Sequence, residues 1–135
     1  MRIYGRVDDK LQPVVTLTLL GFKDKPVDFI LDTGFTFKDD REFAIDLLIK
    51  EGDLEGVWYE PSATADITWG DNSKSSVEAS LVSIDWDGSP RKFRAVKTTG
   101  PNMLSVAAIE HHAVKLVIRS GEAVVIDLAG VQSVG

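Results

Sequence analysis

The segment Asp32-Thr33-Gly34 is the part of this sequence whose residue types and spacing could carry out chemistry. It follows the apolar run Phe29-Ile30-Leu31, so a carboxyl group would stand at a turn where a buried strand ends. A carboxylate there can take a proton from water, and Gly34 lets other groups approach the backbone closely because it has no Cβ. Roughly one random chain in a few tens of this length would contain the triplet, so an Asp that only accepts local backbone hydrogen bonds is the alternative.

Two carboxyl groups close enough to share one proton could act together on a water molecule, one as base and the other as acid. No second Asp-Thr-Gly or Asp-Ser-Gly occurs, and Asp85 and Asp87 lie in a different turn context. The second carboxyl would therefore come from another copy of the chain, which makes a symmetric homodimer a condition of this chemistry. The chain has no cysteine, and its histidines, His111 and His112, are adjacent, so we expect neither a metal site nor another cofactor.

Two predicted strands would position Asp32. Residues Gln12 to Leu20 are rich in Val, Thr and Leu in partial alternation, which is typical of a strand. Pro26 opens a second run, Val27 to Leu31, whose nearly continuous apolar residues predict a strand buried on both faces. This second strand leads directly into Asp32.

A helix is predicted after the Asp32 turn, from Asp40 to Lys50, because apolar residues recur there at helical spacing. Asp39 and Glu42 resemble a capping box at its start, and Gly52 would end it. The acidic residues at its start would complement the helix dipole. The apolar positions are Phe43, Ala44, Leu47 and Leu48.

Three hairpins are predicted in the rest of the chain. The longest joins Ala63–Trp69 to Lys74–Asp85 through the turn residues Gly70-Asp71-Asn72-Ser73. Asp87-Gly88 marks the second, and residues 119–122 mark the third, between 114–118 and 123–126. Together with the earlier strands these hairpins predict a mostly β fold.

The composition argues against several classes of function. The 135 residues suggest one domain, and 44% hydrophobic residues can supply its core. A formal charge of −6 and scattered Lys and Arg argue against binding to nucleic acid or to a membrane surface. No stretch resembles a secretory signal or a membrane span, so we expect a cytoplasmic protein, with residues 129–135 as a flexible tail.

The order of these features resembles that of the single-domain, retropepsin-like (retroviral-type) aspartic peptidases, particularly the small bacterial ones. In that family an apolar strand runs into Asp-Thr-Gly-Phe, a helix follows, and a flap hairpin covers the cleft. A Trp-Asp-Gly turn, here Trp86-Asp87-Gly88, precedes an apolar-apolar-Gly element, for which this chain has Met103-Leu104-Ser105. The resemblance extends from about Ile3 to Asp127, and within it only Asp32-Thr33-Gly34 is a specific motif.

The resemblance implies a closed, acid-protease-like barrel with one short helix and one lobe per chain. It implies a homodimeric aspartic endopeptidase in which Asp32, Thr33 and Gly34 of each subunit form the catalytic loop, and in which peptide substrates pair as an added strand. Leu104 and Ser105 would pack behind the site, and a serine there would be strained if the backbone required a positive φ. The flap over the substrate would consist of Trp69, Gly70, Asp71, Asn72 and Ser73.

Two other classes of protein are compatible with the same sequence. A catalytically inactive module of this fold would dimerise or bind peptides without cutting them. Ser105 and Phe35-Thr36-Phe37, which stand where the family has glycine and small residues, would suit such a relative. A small, unrelated β-barrel that binds an apolar ligand is the third reading. Trp69 would cover substrate in the first case, or else pack on the barrel or on a dimer mate.

Overall fold

Short runs of β-branched and apolar residues, separated by turn residues, form strands along the whole chain. The computed structural model describes residues 2–32, 37–69, 71–86, 88–110, 113–116, 121 and 123–127. Two short 3-10 turns cover Glu51–Leu54 and Val106–Ile109. The strands within these residues are β1 (Arg2–Val7), β2 (Pro13–Leu19), β3 (Lys25–Asp32), β4 (Leu47–Lys50), β5 (Tyr59–Thr68), β6 (Lys74–Trp86), β7 (Ser89–Thr98), β8 (Met103–Ser105), β9 (Ala113–Leu116) and β10 (Ala123–Asp127).

Within the described part of the chain, six of these strands form a closed barrel. Their hydrogen-bonded order is β2-β3-β8-β4-β7-β6, and β6 returns to β2 through the pairs Thr18–Asp85 and Leu19–Ile84. Closure removes the unpaired edges that an open sheet of these strands would have. β5 extends the sheet beyond β6, and β1, β10 and β9 extend it beyond β2. The prediction of a mostly β, closed-barrel fold is confirmed.

The two strands before the Asp32 turn form where they were predicted, and they pair with each other antiparallel. β3 buries Val27, Phe29 and Leu31 on its inner face. Its outer face is partly open to solvent: Ile30 is half-buried, and the exposed Asp28 accepts a hydrogen bond from Arg6 at 2.9 Å. The prediction that this strand is buried on both faces is therefore wrong. One face packs in the barrel core and the other meets water, as in a barrel wall.

The helix predicted from Asp40 to Lys50 does not form. Glu42 has a φ of 65°, in the left-handed region, which no residue inside a right-handed helix can adopt. Asp39 does not cap a helix: its side chain accepts hydrogen bonds from the amides of Arg41 and Phe43, both at 2.9 Å, and so closes a tight loop. The interpretation of these acidic residues as helix-terminal charge is wrong for the same reason.

Strand β4 occupies the second half of the predicted helix. It lies between β7, which runs parallel to it, and β8, which runs antiparallel. Leu47 and Ile49 face the main core inside the barrel, whereas Leu48 faces a second apolar cluster on the other side. All three side chains are buried, so β4 buries both of its faces along this stretch.

The three predicted hairpins are found in the described residues. β5 and β6 pair as far as Thr68–Lys74, β6 and β7 meet at a turn in which Gly88 has a φ of 87°, and β9 pairs with β10. Asp87, residues 117–120, His111, His112 and the tail 129–135 lie outside the described residues. No helix within the described ranges is long and apolar enough to cross a membrane.

Candidate active site

Asp32 is the last residue of β3, and it opens into a cleft of about 1080 Å³. Its side chain is half-buried. The apolar run before it is held in the barrel wall, so the carboxyl group stands where a rigid strand ends and the cleft begins. Thr33 and Gly34, the other two residues of the expected catalytic loop, lie outside the described residues.

Three of the five predicted flap residues line the same cleft, and Asn72 is not among its lining residues. Trp69, Asp71 and Ser73 share its wall with Asp32, although they are about 40 residues further along the chain. The β5–β6 hairpin carries them there, because its strands continue beyond the barrel to this tip. Gly70, also predicted in the flap, lies outside the described residues.

The tip of the hairpin is a hydrogen-bonded turn. The Trp69 amide donates to the Ser73 carbonyl at 2.8 Å, and the Asn72 amide donates to the Trp69 carbonyl at 2.9 Å. Asn72 has a φ of 66°, a conformation that asparagine tolerates better than most residues. Hydrogen bonds from the Ser73 hydroxyl and the Ser73 amide lower the pKa of Asp71 below its usual value. The tip therefore presents a carboxylate at neutral pH.

Trp69 packs against the protein interior and also lines the cleft. Its indole N–H donates to the Ser75 hydroxyl at 3.1 Å, which fixes the ring against the opposite strand of the hairpin. The half-buried ring packs against the second apolar cluster, which contains Ile45, Leu48 and Ile67, and it also lines the Asp32 cleft. It is both a packing residue and part of the cleft wall.

Leu104 and Ser105 lie beside the end of β3, on strand β8. Both are fully buried, and the parallel register places Ser105 opposite Asp32. The φ of Ser105 is −82°, so the serine here is not strained. Its hydroxyl donates to the Ile45 carbonyl at 3.1 Å and its amide donates to the Asp46 carbonyl at 2.9 Å.

The wall of the cleft combines apolar and charged side chains. Phe37, Leu48 and Met103 contribute apolar surface. The Lys97 ammonium lies 3.5 Å from the Glu51 carboxylate, and both groups are on the surface. Such a mixture suits a ligand with apolar side chains and a polar backbone.

Lys97 and Glu51 were not singled out from the sequence, because neither carries a local signal. Lys97 lies next to Ile49 in the parallel pairing of β7 with β4, and Glu51 follows that strand directly. Only this pairing of segments almost 50 residues apart brings the two charges to one side of the cleft.

A second cleft of about 580 Å³ adjoins the first and shares Phe37 and Thr68 with it. Its lining is mainly acidic and hydroxylic, with one lysine. Among the described residues, no group of three or more His, Cys, Asp or Glu side chains is arranged to hold a metal ion. The acidic residues of the second cleft are Asp39, Asp40, Glu42 and Asp66.

Searches against models of known protein families, against curated proteins and against solved structures found no match. The chemistry open to the cleft therefore follows from its own side chains. A carboxyl group at the end of a rigid strand can activate water or donate a proton, and an open cleft under a hairpin can hold an extended chain.

Proposed function

We propose that this chain is a retropepsin-like aspartic endopeptidase that works as a homodimer, with Asp32 of each subunit as a catalytic carboxyl group. One observation carries the proposal: Asp32 ends an apolar barrel strand and lines a cleft together with the tip of a long hairpin. In the family that the sequence resembles, this is the relation of the catalytic Asp to the flap. The Asp-Thr-Gly motif and the barrel support the same reading.

The need for a second subunit follows from the other carboxyl groups of the cleft. Glu51 is paired with Lys97 at 3.5 Å. Asp71 sits on the hairpin tip and accepts hydrogen bonds from Ser73. Neither stands in the setting of Asp32, so the partner that shares a proton with it would be Asp32 of a symmetry-related copy.

The proposed mechanism uses these two carboxyl groups and one water molecule. The ionised carboxylate takes a proton from the water, which attacks the carbonyl carbon of the scissile peptide bond. The protonated carboxyl group donates its proton to the carbonyl oxygen. Collapse of the resulting tetrahedral intermediate breaks the C–N bond: the proton now on the first carboxyl group passes to the leaving amine, and one hydroxyl of the intermediate returns a proton to the second carboxylate. This leaves a carboxylic acid and an amine as products and restores the pair that shares one proton.

The substrate would lie as an extended strand under the β5–β6 hairpin, where main-chain hydrogen bonds give affinity and side-chain pockets give selectivity. Phe37, Leu48 and Met103 contribute apolar surface to the cleft that Asp32 lines, so apolar side chains of the substrate would fit there. We also propose the cytoplasm as the compartment, which suits a chain without cysteine.

The direct test compares wild type with Asp32→Asn on a mixture of peptides across acid and neutral pH, with mass-spectrometric detection of products. Asp32→Asn should abolish cleavage, whereas Asp28→Asn, on the exposed outer face of the same strand, should retain it. A statine-type transition-state mimic should inhibit wild type, and a chelator should not. Cleavage that survives in Asp32→Asn, or that a chelator abolishes, would contradict the proposal.

The second candidate function is a peptide-binding module of the same fold that does not cut its ligand. The observation that favours it is the bulky Phe37 in the cleft wall, where the family usually has small residues. Such a module would bind the statine-type peptide in a calorimeter while leaving every peptide of the mixture intact.

A further inference from the structure

Residues 37–45 form a tight loop built around the buried side chain of Asp39. One carboxylate oxygen of Asp39 accepts hydrogen bonds from the amides of Arg41 and Phe43. The Asp39 amide in turn donates a hydrogen bond to the Phe43 carbonyl at 2.8 Å. The base of the loop is closed by the Ile45 amide, which donates to the Phe37 carbonyl at 2.8 Å. The conformation of the whole loop therefore depends on Asp39.

Arg94 of β7 holds the loop from the barrel side. Its Nε lies 3.2 Å from the second carboxylate oxygen of Asp39, whose side chain is 0% exposed. Both of these atoms are buried and neither makes a hydrogen bond, so the two charges compensate each other at this contact, although the Arg94 side chain as a whole is 28% exposed. The Arg94 guanidinium also lies 4.2 Å from the centre of the Phe43 ring.

The same loop is bonded to the β5–β6 hairpin. Asp39 forms a β-bridge with Ala65, and the Asp40 amide donates to the Thr64 carbonyl at 2.8 Å. Residues 66–69 and 71–76 extend beyond this attachment, and they include tip residues that line the Asp32 cleft. The attachment thus lies between the barrel and the tip of the hairpin.

Phe37, at the base of the loop, lines both clefts. The loop thereby joins a wall of the cleft to the hairpin whose tip also lines it. The position of Phe37 in the cleft wall and the attachment of the hairpin therefore both depend on the ion pair between Asp39 and Arg94.

We infer that Asp39 and Arg94 are positioning residues, which hold the β5–β6 hairpin over the Asp32 cleft through the loop 37–45. The anchoring of the hairpin stands on the contacts alone, whereas its effect on substrate binding rests on the proposed function. The charge of Asp39 and its role in closing the loop can be separated, because asparagine keeps an oxygen that accepts the amides of Arg41 and Phe43.

Hydrogen–deuterium exchange of the full chain without substrate tests the anchoring. Asp39→Asn and Arg94→Gln should each raise the exchange rate of segments 37–45 and 64–69 by about tenfold or more, because a buried charge loses its partner. Lys92→Gln is the matched control: Lys92 also joins β7 to β5, through Glu60 at 3.0 Å, but both side chains are exposed. It should leave the exchange of both segments unchanged.

Peptide kinetics then test the effect on substrate. With the hairpin loosened, KM should rise by about tenfold while kcat stays within about twofold, and Arg94→Lys should recover part of the loss because it keeps the positive charge. If circular dichroism shows that Asp39→Asn or Arg94→Gln does not fold, the exchange of segments 37–45 and 64–69 is measured in Arg94→Lys instead. The exchange rate should again rise, but by less.

Unchanged exchange in segments 37–45 and 64–69 would overturn the inference, as would a fall in kcat with KM unchanged. A wild-type chain that cleaves no peptide would contradict the proposed function instead, and the exchange result would then decide the anchoring by itself.

Discussion

Ser105 lies directly opposite Asp32 on the neighbouring parallel strand, yet its hydroxyl is directed to the Ile45 carbonyl at 3.1 Å. The family that the sequence resembles has a glycine at this position. Here the backbone φ of −82° is one that any residue adopts, and the fully buried hydroxyl has an acceptor. The serine thus joins the strand beside Asp32 to the segment that leads into β4.

We predict that Ser105→Ala lowers the free energy of unfolding by about 1–3 kcal/mol, because a buried hydrogen bond is lost. Ser105→Gly should cost about 0.5–1 kcal/mol more, since glycine gains more backbone freedom in the unfolded chain. Denaturant titration of the three proteins measures both values. A Ser105→Gly chain as stable as wild type would instead mean that the serine is strained, as the family pattern suggested.

Much of the barrel could be predicted because its signals are local. β2 and the three hairpins follow from alternation and from turn residues such as Asn72 and Gly88, which act within a few positions. β4 could not be predicted in this way. Leu47, Leu48 and Ile49 are buried because β7 and β8, about 50 residues away, lie on either side of them, and a short apolar run by itself fits a helix as well as a strand.

The candidate active site, like the barrel, could be predicted from the sequence only in part. Asp32 and the hairpin tip were identified from a motif and a turn, and both line the cleft. Lys97 reaches the cleft through parallel pairing, which has no signature along the chain. Asp39 was wrongly assigned to a helix end, since an acidic residue before an apolar stretch looks the same whether it caps a helix or closes a buried loop.

Trp69 should report on occupation of the cleft. Its ring lines the cleft, whereas Trp58 is 54% exposed and contacts Phe22. Binding of a statine-type peptide should shift tryptophan emission in wild type and in Trp58→Phe, and the shift should be lost in Trp69→Phe. Trp69→Ala should weaken peptide binding by about 1–2 kcal/mol, roughly tenfold in Kd, through lost apolar contact. An emission shift that persists in Trp69→Phe would place the ligand elsewhere.

Asp46 should make the protein less stable as the pH rises. Burial raises the pKa of Asp46 above the usual 3.8. This effect exceeds the opposing one of the hydrogen bond that the carboxylate accepts from the Arg94 amide at 2.8 Å. The folded state therefore binds a proton at Asp46 more tightly than the unfolded state does, and this difference adds to the free energy of unfolding. The added stability is complete below pH 3.8 and is lost as the pH rises through the pKa of Asp46 in the folded state. Asp46→Asn keeps the acceptor without the charge, so it should be more stable than wild type at pH 7 and no more stable in strong acid.

Asp28→Asn is the control with the opposite sign. Hydrogen bonds from Thr16 and then Arg6 lower the pKa of Asp28, so its contribution is present above 3.8 and lost as the pH falls through the folded pKa. This variant should be less stable than wild type at pH 7, and the difference should vanish in acid. Thermal unfolding across pH measures both variants, and an Asp46→Asn chain less stable than wild type at pH 7 would contradict the assigned cause.

The claim that each active site takes one Asp32 from each of two chains is tested most directly by mixing wild type with Asp32→Ala. Circular dichroism should first show that Asp32→Ala is folded, and exchange of subunits should be shown with a tagged chain. An equal mixture should then retain about half the peptidase activity per wild-type chain, and a ninefold excess of the variant about one tenth, because a mixed dimer holds one carboxyl group and cannot share a proton. Activity per wild-type chain that stays constant while subunits exchange would place the whole site within one chain and contradict the account.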